Sequence, residues 1–144
     1  MMKVDKDARL LRELVWRFVF EERDQLAALN LSQNSRVLEM MYRVGPMTQS
    51  TMGQILNFEK SWISRMVDQL VAEGWVERTP NPQDRRSKIL VLTDEGNAHA
   101  RKIGAMFDSH SRDVLDRLSD EARQDILRAI AHLAAALPPR AAGL

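Results

Sequence analysis

Charged side chains that could bind a nucleic-acid backbone are concentrated in residues 78–88. Four basic residues there oppose one acidic residue, so the segment has a net charge of +3. Prolines at 80 and 82 predict a tight turn, and a thin hairpin with arginines at its tip suits the minor groove of DNA, where the negative potential is strongest. The alternative is a solvated turn, in which surface ion pairs contribute little. The candidate contacts are Arg78, Asp84, Arg85, Arg86 and Lys88, with Asp84 expected to hold the guanidinium of Arg86.

A second set of polar side chains lies on one face of a predicted helix over residues 59–73. Apolar residues from Ile63 to Val71 recur at three- and four-residue steps and predict the buried face. The opposite face offers hydroxyl, amide and cationic groups, which can donate hydrogen bonds in the major groove. Trp62 is a large aromatic residue on this outward face, and two explanations are open. It either contacts a sugar or a thymine methyl group of DNA or packs on the neighbouring helix. The candidate contacts are Lys60, Ser61, Trp62, Ser64, Arg65 and Gln69.

The elements that must position these side chains follow from the periodicity of the chain. Apolar residues at helical spacing predict helices at 5–28, around 37–44, at 48–56, 59–73, 94–116 and 120–136, and alternation predicts strands at 75–79 and 88–92. The expected N-caps are Asp5 or Asp7, Thr48, Thr93 and Ser119, and Asn57 suits a left-handed turn. A short helix, a turn, a longer helix and a hairpin form a winged helix-turn-helix. The predicted fold is therefore mainly α with a small β-hairpin wing, an α+β class.

Composition excludes several classes of function. The 144 residues include 21 Lys and Arg and 20 Asp and Glu, which fits one compact domain with added helices and gives no global sign of nucleic-acid binding. The absence of cysteine excludes thiol catalysis, thiolate metal sites and sensing by thiol oxidation. His99, His110 and His132 lack metal-site spacing, and no phosphate-binding glycine loop occurs. We therefore expect no enzymatic activity, no catalytic residue, no metal and no cofactor.

The apolar runs of the sequence are short. None approaches the roughly 20 residues that a transmembrane helix needs. Charged residues from Lys3 onward leave no apolar signal-peptide segment. These features predict a cytoplasmic protein with no membrane partner.

Two stretches of the chain resemble the MarR family of bacterial winged-helix regulators. Lys60–Leu70 with Glu73–Arg78 is similar to the family's recognition helix and first wing strand. Asn81–Ser87 with Leu92–Gly96 is similar to its wing signature. The resemblance covers about residues 38–96, and it implies that Ser61, Trp62, Ser64 and Arg65 face the major groove and that Asp84 and Arg86 face the minor groove.

This resemblance also implies a biological role. It indicates a sequence-specific transcriptional regulator, a ligand-responsive repressor that acts as a homodimer on an inverted-repeat operator in double-stranded DNA. Helical dimerisation segments at 1–33 and 112–144 would flank a DNA-binding domain with a linking helix at 34–111. Independently of the resemblance, the apolar stripes of the terminal helices predict a partner. The alternatives are a winged-helix protein-interaction module and a metal-responsive regulator.

Members of this family often bind small aromatic or anionic effectors. The residues of such a pocket would be Trp16, Arg17, Phe20, Met40, Met41 and Met47. For each residue taken singly, core packing is the simpler explanation, because methionine and helical apolar stripes usually fill cores. The chain departs from the family pattern at Asn57, Glu59, Trp62 and Asn81, where a turn glycine, a better N-cap, a smaller residue and an aspartate are usual.

Overall fold

The computed structural model describes residues 5–138, which fall into two compact units with the boundary between Gln33 and Asn34. The N-terminal unit consists of helix α1, Lys6–Ala28. Asp5 caps the helix as expected, since its carboxylate accepts hydrogen bonds from the N–H groups of residues 7 and 8 at 3.1 and 3.4 Å. Leu26 is fully buried and Phe18 is half-buried, whereas Leu10, Leu14 and Trp16 are exposed. One apolar face of α1 therefore remains accessible to a partner.

The C-terminal unit contains the other predicted helices and both predicted strands. After a 3-10 turn at Gln33–Ser35, the elements are α2 (Arg36–Val44), β1 (Met47–Thr48), α3 (Gln49–Leu56), α4 (Lys60–Ala72), β2 (Val76–Pro80), β3 (Lys88–Leu92), α5 (Asp94–Asp116) and α6 (Asp120–Ala136). The 3-10 turn and β1 were not predicted, because segments of two or three residues are too short to show a period.

The three strands form one antiparallel sheet in the order β1-β3-β2. Met47 in β1 pairs with Leu90 in β3, and β2 pairs with β3 along its whole length, from Val76 opposite Leu92 to Pro80 opposite Lys88. The hairpin of β2 and β3 with its connecting loop 81–87 is called the wing below. Because β1 leads directly into α3, it ties the base of the wing to the helix-turn-helix.

The helix-turn-helix has the predicted geometry. Asn57, between α3 and α4, adopts the left-handed conformation with φ 54° and ψ 45°. Thr48 caps α3 by accepting a hydrogen bond from the N–H of Thr51 at 3.1 Å. The predicted apolar face of α4 is buried, with Ile63 and Leu70 almost fully inaccessible. The outer face of α4 is thereby fixed toward solvent.

The start of α5 lies close to the base of the wing. The hydroxyl of Thr93 accepts a hydrogen bond from the N–H of Gly96 at 3.0 Å and donates one to the carbonyl of Gly74 at 2.6 Å. Position 96 requires glycine, because an added Cβ would lie 1.9 Å from the carbonyl oxygen of Trp75. The close approach of Gly96 to the Trp75 carbonyl thus lets the start of α5 pack against the segment that leads into strand β2.

The last described helix, α6, has no buried residue of its own. Ser119 caps it as expected, accepting from the N–H of residue 122 at 3.3 Å. Its stripe of apolar side chains recurs at helical spacing and is largely exposed: Ile126, Leu127, Ile130 and Leu133. Within residues 5–138, no helix combines the length and the apolar character needed to cross a membrane.

Candidate nucleic-acid interface

Short polar side chains fix the backbone of the wing tip. The Asn81 carboxamide accepts a hydrogen bond from the N–H of Gln83 at 3.0 Å and donates one to the Ser87 hydroxyl at 2.8 Å. The Asp84 carboxylate accepts from the N–H of Arg86 at 2.9 Å. Asn and Asp side chains that bind the backbone two residues on define tight turns of this kind. The loop therefore has a defined conformation without burying its tip.

The expected role of Asp84 needs a correction. It was predicted to hold the guanidinium of Arg86, but its carboxylate instead binds the Arg86 backbone. The reason is local geometry: the N–H two residues on lies within reach of a short carboxylate when the chain turns. Arg85 and Arg86 are exposed, and within residues 5–138 the structure shows no anionic partner for either side chain. Both guanidinium groups are thus available to phosphate oxygens.

Arg78, another predicted contact, is already engaged within the protein. Its Nη2 donates to Oδ1 of Asp68 on the outer face of α4. The ion pair joins strand β2 to α4 and partly neutralises a charge that was expected to serve the wing. The pair is a direct link between the wing and the outer face of α4. Sequence patterns carry no signal of it, because the partners are ten positions apart on different elements.

Gln69, predicted to contact DNA, also has partners inside the protein. Its side-chain oxygen accepts from Asn34 Nδ2 at 2.7 Å, and its Nε2 donates to Glu73 Oε1 at 3.1 Å. Asn34 lies in the 3-10 turn before α2, so this bond links the start of the C-terminal unit to α4. Asn34 was not among the predicted functional residues, since only the fold brings it to α4.

The remaining predicted residues of α4 lie at its N-terminal half. Lys60, Ser61 and Arg65 are exposed, and Ser64 is half-buried. Glu59, at the N-cap, makes no capping hydrogen bond with its side chain. Within the described part of the chain, neither Lys60 nor Arg65 has an anionic partner, and the same holds for Lys88 in β3. Lys60, Ser61, Ser64 and Arg65 thus lie in the N-terminal half of α4, the part of a recognition helix that approaches base edges in helix-turn-helix proteins.

Trp62 packs on Phe58 in the turn before its own helix. The two ring centroids are 4.4 Å apart and the rings are inclined by 40°. Packing on the neighbouring helix was one of the two interpretations of Trp62, and the contact with Phe58 differs from it; Trp62 stays 37% and Phe58 51% exposed. Phe58 went unnoticed because a single aromatic residue in a turn has no periodic neighbours. The pair forms an aromatic surface beside the cations of α4.

The predicted effector residues divide between the two units. Trp16 and Phe20 of α1 stack on each other with centroids 5.5 Å apart, and Arg17 beside them is exposed. In the C-terminal unit, Met40, Met41 and Met47 are buried, as expected of core residues. Among the residues described, no group of three or more His, Asp or Glu side chains is arranged to hold a metal ion.

Comparison with known sequences agrees with this geometry. Residues 31–88 match the sequence profile of the MarR family. The uncharacterised HTH-type transcriptional regulator YwoH of Bacillus subtilis is 28% identical over 123 residues, which cover 85% of this chain and 84% of YwoH. The multiple antibiotic resistance protein MarR of Salmonella typhimurium is 35% identical over 63 residues, and this match spans only 44% of either protein.

Comparison with solved structures extends the similarity beyond the matched segment. The transcriptional regulator Tm0710 of Thermotoga maritima has a TM-score of 0.70 at 27% identity, with 89% of this chain and 91% of that chain covered. A point mutant of MepR from S. aureus, bound to an oligodeoxyribonucleotide, shares the fold at a TM-score of 0.64 and 17% identity, with 92% and 99% covered. The winged helix-turn-helix and the match over residues 31–88 identify this segment as a DNA-binding domain of the MarR family, and the full chain is similar to transcriptional regulators of that family.

Proposed function

We propose that this protein is a homodimeric repressor that binds an inverted-repeat operator, with α4 in the major groove and the wing tip in the minor groove. One observation supports this most strongly. Two elements joined by an ion pair, α4 and the wing, both present exposed cations without anionic partners in the described chain. Phosphate contacts position such a protein on the duplex, and base-edge contacts supply specificity. The DNA-bound MepR mutant shows that this fold accommodates DNA in another protein.

The homodimer is supported by the exposed apolar faces of the terminal helices. On α6, Ile130 is 50% and Leu127 47% exposed, at the spacing of one helical face. On α1, Leu10 and Leu14 are similarly accessible. Contiguous apolar surface of this kind marks protein–protein contacts. Two copies would place two α4 helices on half-sites roughly 34–36 Å apart, as in other dimeric helix-turn-helix proteins.

A ligand response completes the proposal and rests on the family resemblance. The effector would be a small aromatic or anionic molecule that changes the spacing of the two DNA-binding units. The stacked Trp16 and Phe20, with exposed Arg17 next to them, offer aromatic and cationic contacts of the required type. Thiol oxidation is not available as a trigger, because the chain has no cysteine. The cytoplasm is the compartment where such a regulator would act.

Selection of duplexes from a randomised library at fixed salt tests the proposal. The wild-type chain is expected to enrich an inverted repeat. Arg86→Ala is expected to weaken binding of the enriched duplex, to relax the A·T preference at the wing contact and to lower the slope of log affinity against log salt by about two, one for each subunit. Arg101→Ala is the matched control, because it removes the same charge from an exposed position on α5 that lies outside both proposed dimerisation segments and about 12 Å along the helix from Thr93.

The outcomes separate the parts of the proposal. If no duplex is enriched, the protein is not a sequence-specific DNA-binding regulator. If Arg86→Ala and Arg101→Ala bind alike, the wing does not contact DNA. Light scattering tests the dimer, and Ile130→Glu is expected to yield a folded monomer with much weaker operator binding. A wild-type monomer at micromolar concentration would contradict the homodimer.

A further inference from the structure

We propose that Trp62, held in place by Phe58, contacts the 5-methyl group of a thymine in each operator half-site and thereby determines base preference. The inference rests on the proposed function and adds a residue-level source of specificity to it. Its starting point is an aromatic pair, 4.4 Å between ring centroids, that the fold leaves half-exposed on the outer surface of the helix-turn-helix.

The position of Trp62 on α4 suits contact with a base. It is the third residue of the helix, and the N-terminal residues of a recognition helix approach base edges most closely. Arg65 follows three residues later and projects from the same side. Lys60 begins the helix, and both cations are exposed without an anionic partner in the described chain. A molecule that covers Trp62 therefore also lies beside the Arg65 guanidinium, one turn along the same side of the helix.

Charge and apolar character together identify that molecule. A polyanion satisfies Lys60 and Arg65, whereas an apolar group must meet the indole face. The major groove of DNA provides both, because the thymine methyl is its one apolar feature and lies between two phosphate backbones. A protein partner would need an acidic surface that carries a bulky apolar side chain. Duplex DNA is the simpler occupant, since the cationic wing is attached to the same helix.

Phe58 acts as a positioning residue rather than a contact. Its backbone is fixed by the left-handed Asn57 and by the hydrogen bond from its N–H to the carbonyl of Gly53 at 3.3 Å. Its ring packs against the indole and restricts the orientations that Trp62 can adopt. A side chain ordered before binding loses less entropy on contact. Removal of Phe58 should therefore weaken discrimination at the thymine without removing the group that touches it.

Deoxyuridine substitution gives a direct test, because it removes the methyl group and keeps the base pair. The probe is the tightest duplex that the full-length wild-type chain selects, resynthesised with one symmetric pair of thymines replaced at a time. Burial of one methyl group corresponds to about fourfold in affinity, so a symmetric pair corresponds to about sixteenfold. We expect one pair of positions to show a loss of this order with the wild-type chain.

The variants assign that loss to the aromatic pair. Trp62→Ala should bind the thymine and deoxyuridine duplexes equally at the sensitive position, Trp62→Phe should retain part of the preference, and Phe58→Ala should reduce it. Tyr42→Ala is the control, because Tyr42 on α2 is an aromatic residue of similar exposure, 49%, beside Pro46 and Leu92 rather than on α4. It should keep the wild-type profile at every position.

Each contrary result has a distinct meaning. If deoxyuridine has no effect at any position with the wild-type chain, or if Trp62→Ala remains as sensitive as wild type, the inference is wrong. A uniform loss with Trp62→Ala on both duplexes would show a purely structural role and would also overturn it. Unchanged binding of every duplex by Trp62→Ala would assign the surface to a protein partner. Failure to select any duplex would instead refute the proposed function.

Discussion

Gly96→Ala should be among the most destabilising single-methyl additions to this protein. The added Cβ would lie 1.9 Å from the carbonyl oxygen of Trp75 and 2.8 Å from its carbonyl carbon, against an ordinary contact of 3.4–4 Å. Both atoms belong to the backbone, so no side-chain rotation relieves the overlap. The first turn of α5 must therefore move away from the base of the wing by more than an ångström.

The magnitude follows from the contacts that such a movement breaks. Two hydrogen bonds of Thr93 join these segments, from its N–H to the carbonyl of Trp75 at 3.0 Å and from its hydroxyl to the carbonyl of Gly74 at 2.6 Å. Each contributes about 1 kcal/mol, and overpacking adds about 1–3 kcal/mol. Replacing a helical glycine by alanine stabilises the helix by about 1 kcal/mol, which offsets part of this loss. The free energy of unfolding should therefore fall by about 2–4 kcal/mol.

Urea unfolding followed by far-ultraviolet circular dichroism measures this difference, at one protein concentration because a dimer would make stability concentration-dependent. The matched control is Gly104→Ala in the same helix, where the nearest atom to an added Cβ is the flexible Glu39 Cγ at 3.5 Å. That variant should be unchanged or stabilised by up to about 1 kcal/mol. Equal stability of the two variants would refute the close-approach argument.

Three further predictions concern contacts of the helix caps, of the pair between α4 and the wing, and of the wing loop. Thr93→Val should lower the free energy of unfolding by about 2 kcal/mol, because it removes a helix cap and the hydroxyl that donates to the carbonyl of Gly74. Ser119→Ala removes only a cap and should lower it by about 1 kcal/mol. Equal losses in urea unfolding would contradict a role for the hydrogen bond that Thr93 donates. A double-mutant cycle of Asp68→Ala and Arg78→Ala should give a coupling of at most about 1 kcal/mol, because the pair is largely exposed; a larger coupling would show that it is more than a surface ion pair. Asn81→Ala should weaken binding to the selected duplex, measured by fluorescence anisotropy, because the substitution removes two hydrogen bonds that order the wing loop. Thermal stability should stay within error, since only this loop is loosened. Unchanged affinity would show that the order of the loop does not matter for binding.

The sequence predicted those features that depend on neighbouring residues. The buried face of α4, the cap at Thr48 and the left-handed turn at Asn57 each depend on residue types within one or two helical turns. The wing was predicted for the same reason, since alternation and turn residues are local signals. Agreement at these positions shows that local preferences and the tertiary fold favour the same conformation in this part of the chain.

The features that escaped prediction depend on contacts between distant segments. Gln69 and Arg78 have the composition of DNA contacts, but Asn34 and Asp68 bind them in the fold. Strand β1 exists because β3 offers an edge, not because its two residues favour extension. The sequence left the packing partner of Trp62 undetermined for the same reason. In each case the partner is set by topology, which a single sequence does not display.

The ion pairs divide the arginines of the described chain into those that pair with a carboxylate and those that do not. On the helices, Arg43 and Arg128 pair with carboxylates one turn away, at 2.8 and 2.5 Å. Arg65, Arg85 and Arg86 have no such partner in the described chain. A guanidinium that is already paired must give up its carboxylate before it binds a phosphate, whereas an unpaired one gains the full contact. The Asp84 carboxylate accepts a hydrogen bond from the backbone N–H of Arg86 and forms no ion pair with either neighbouring guanidinium in the described chain. The same residue therefore orders the loop and leaves both neighbouring arginines positively charged, unpaired and exposed, which is the arrangement that minor-groove binding requires.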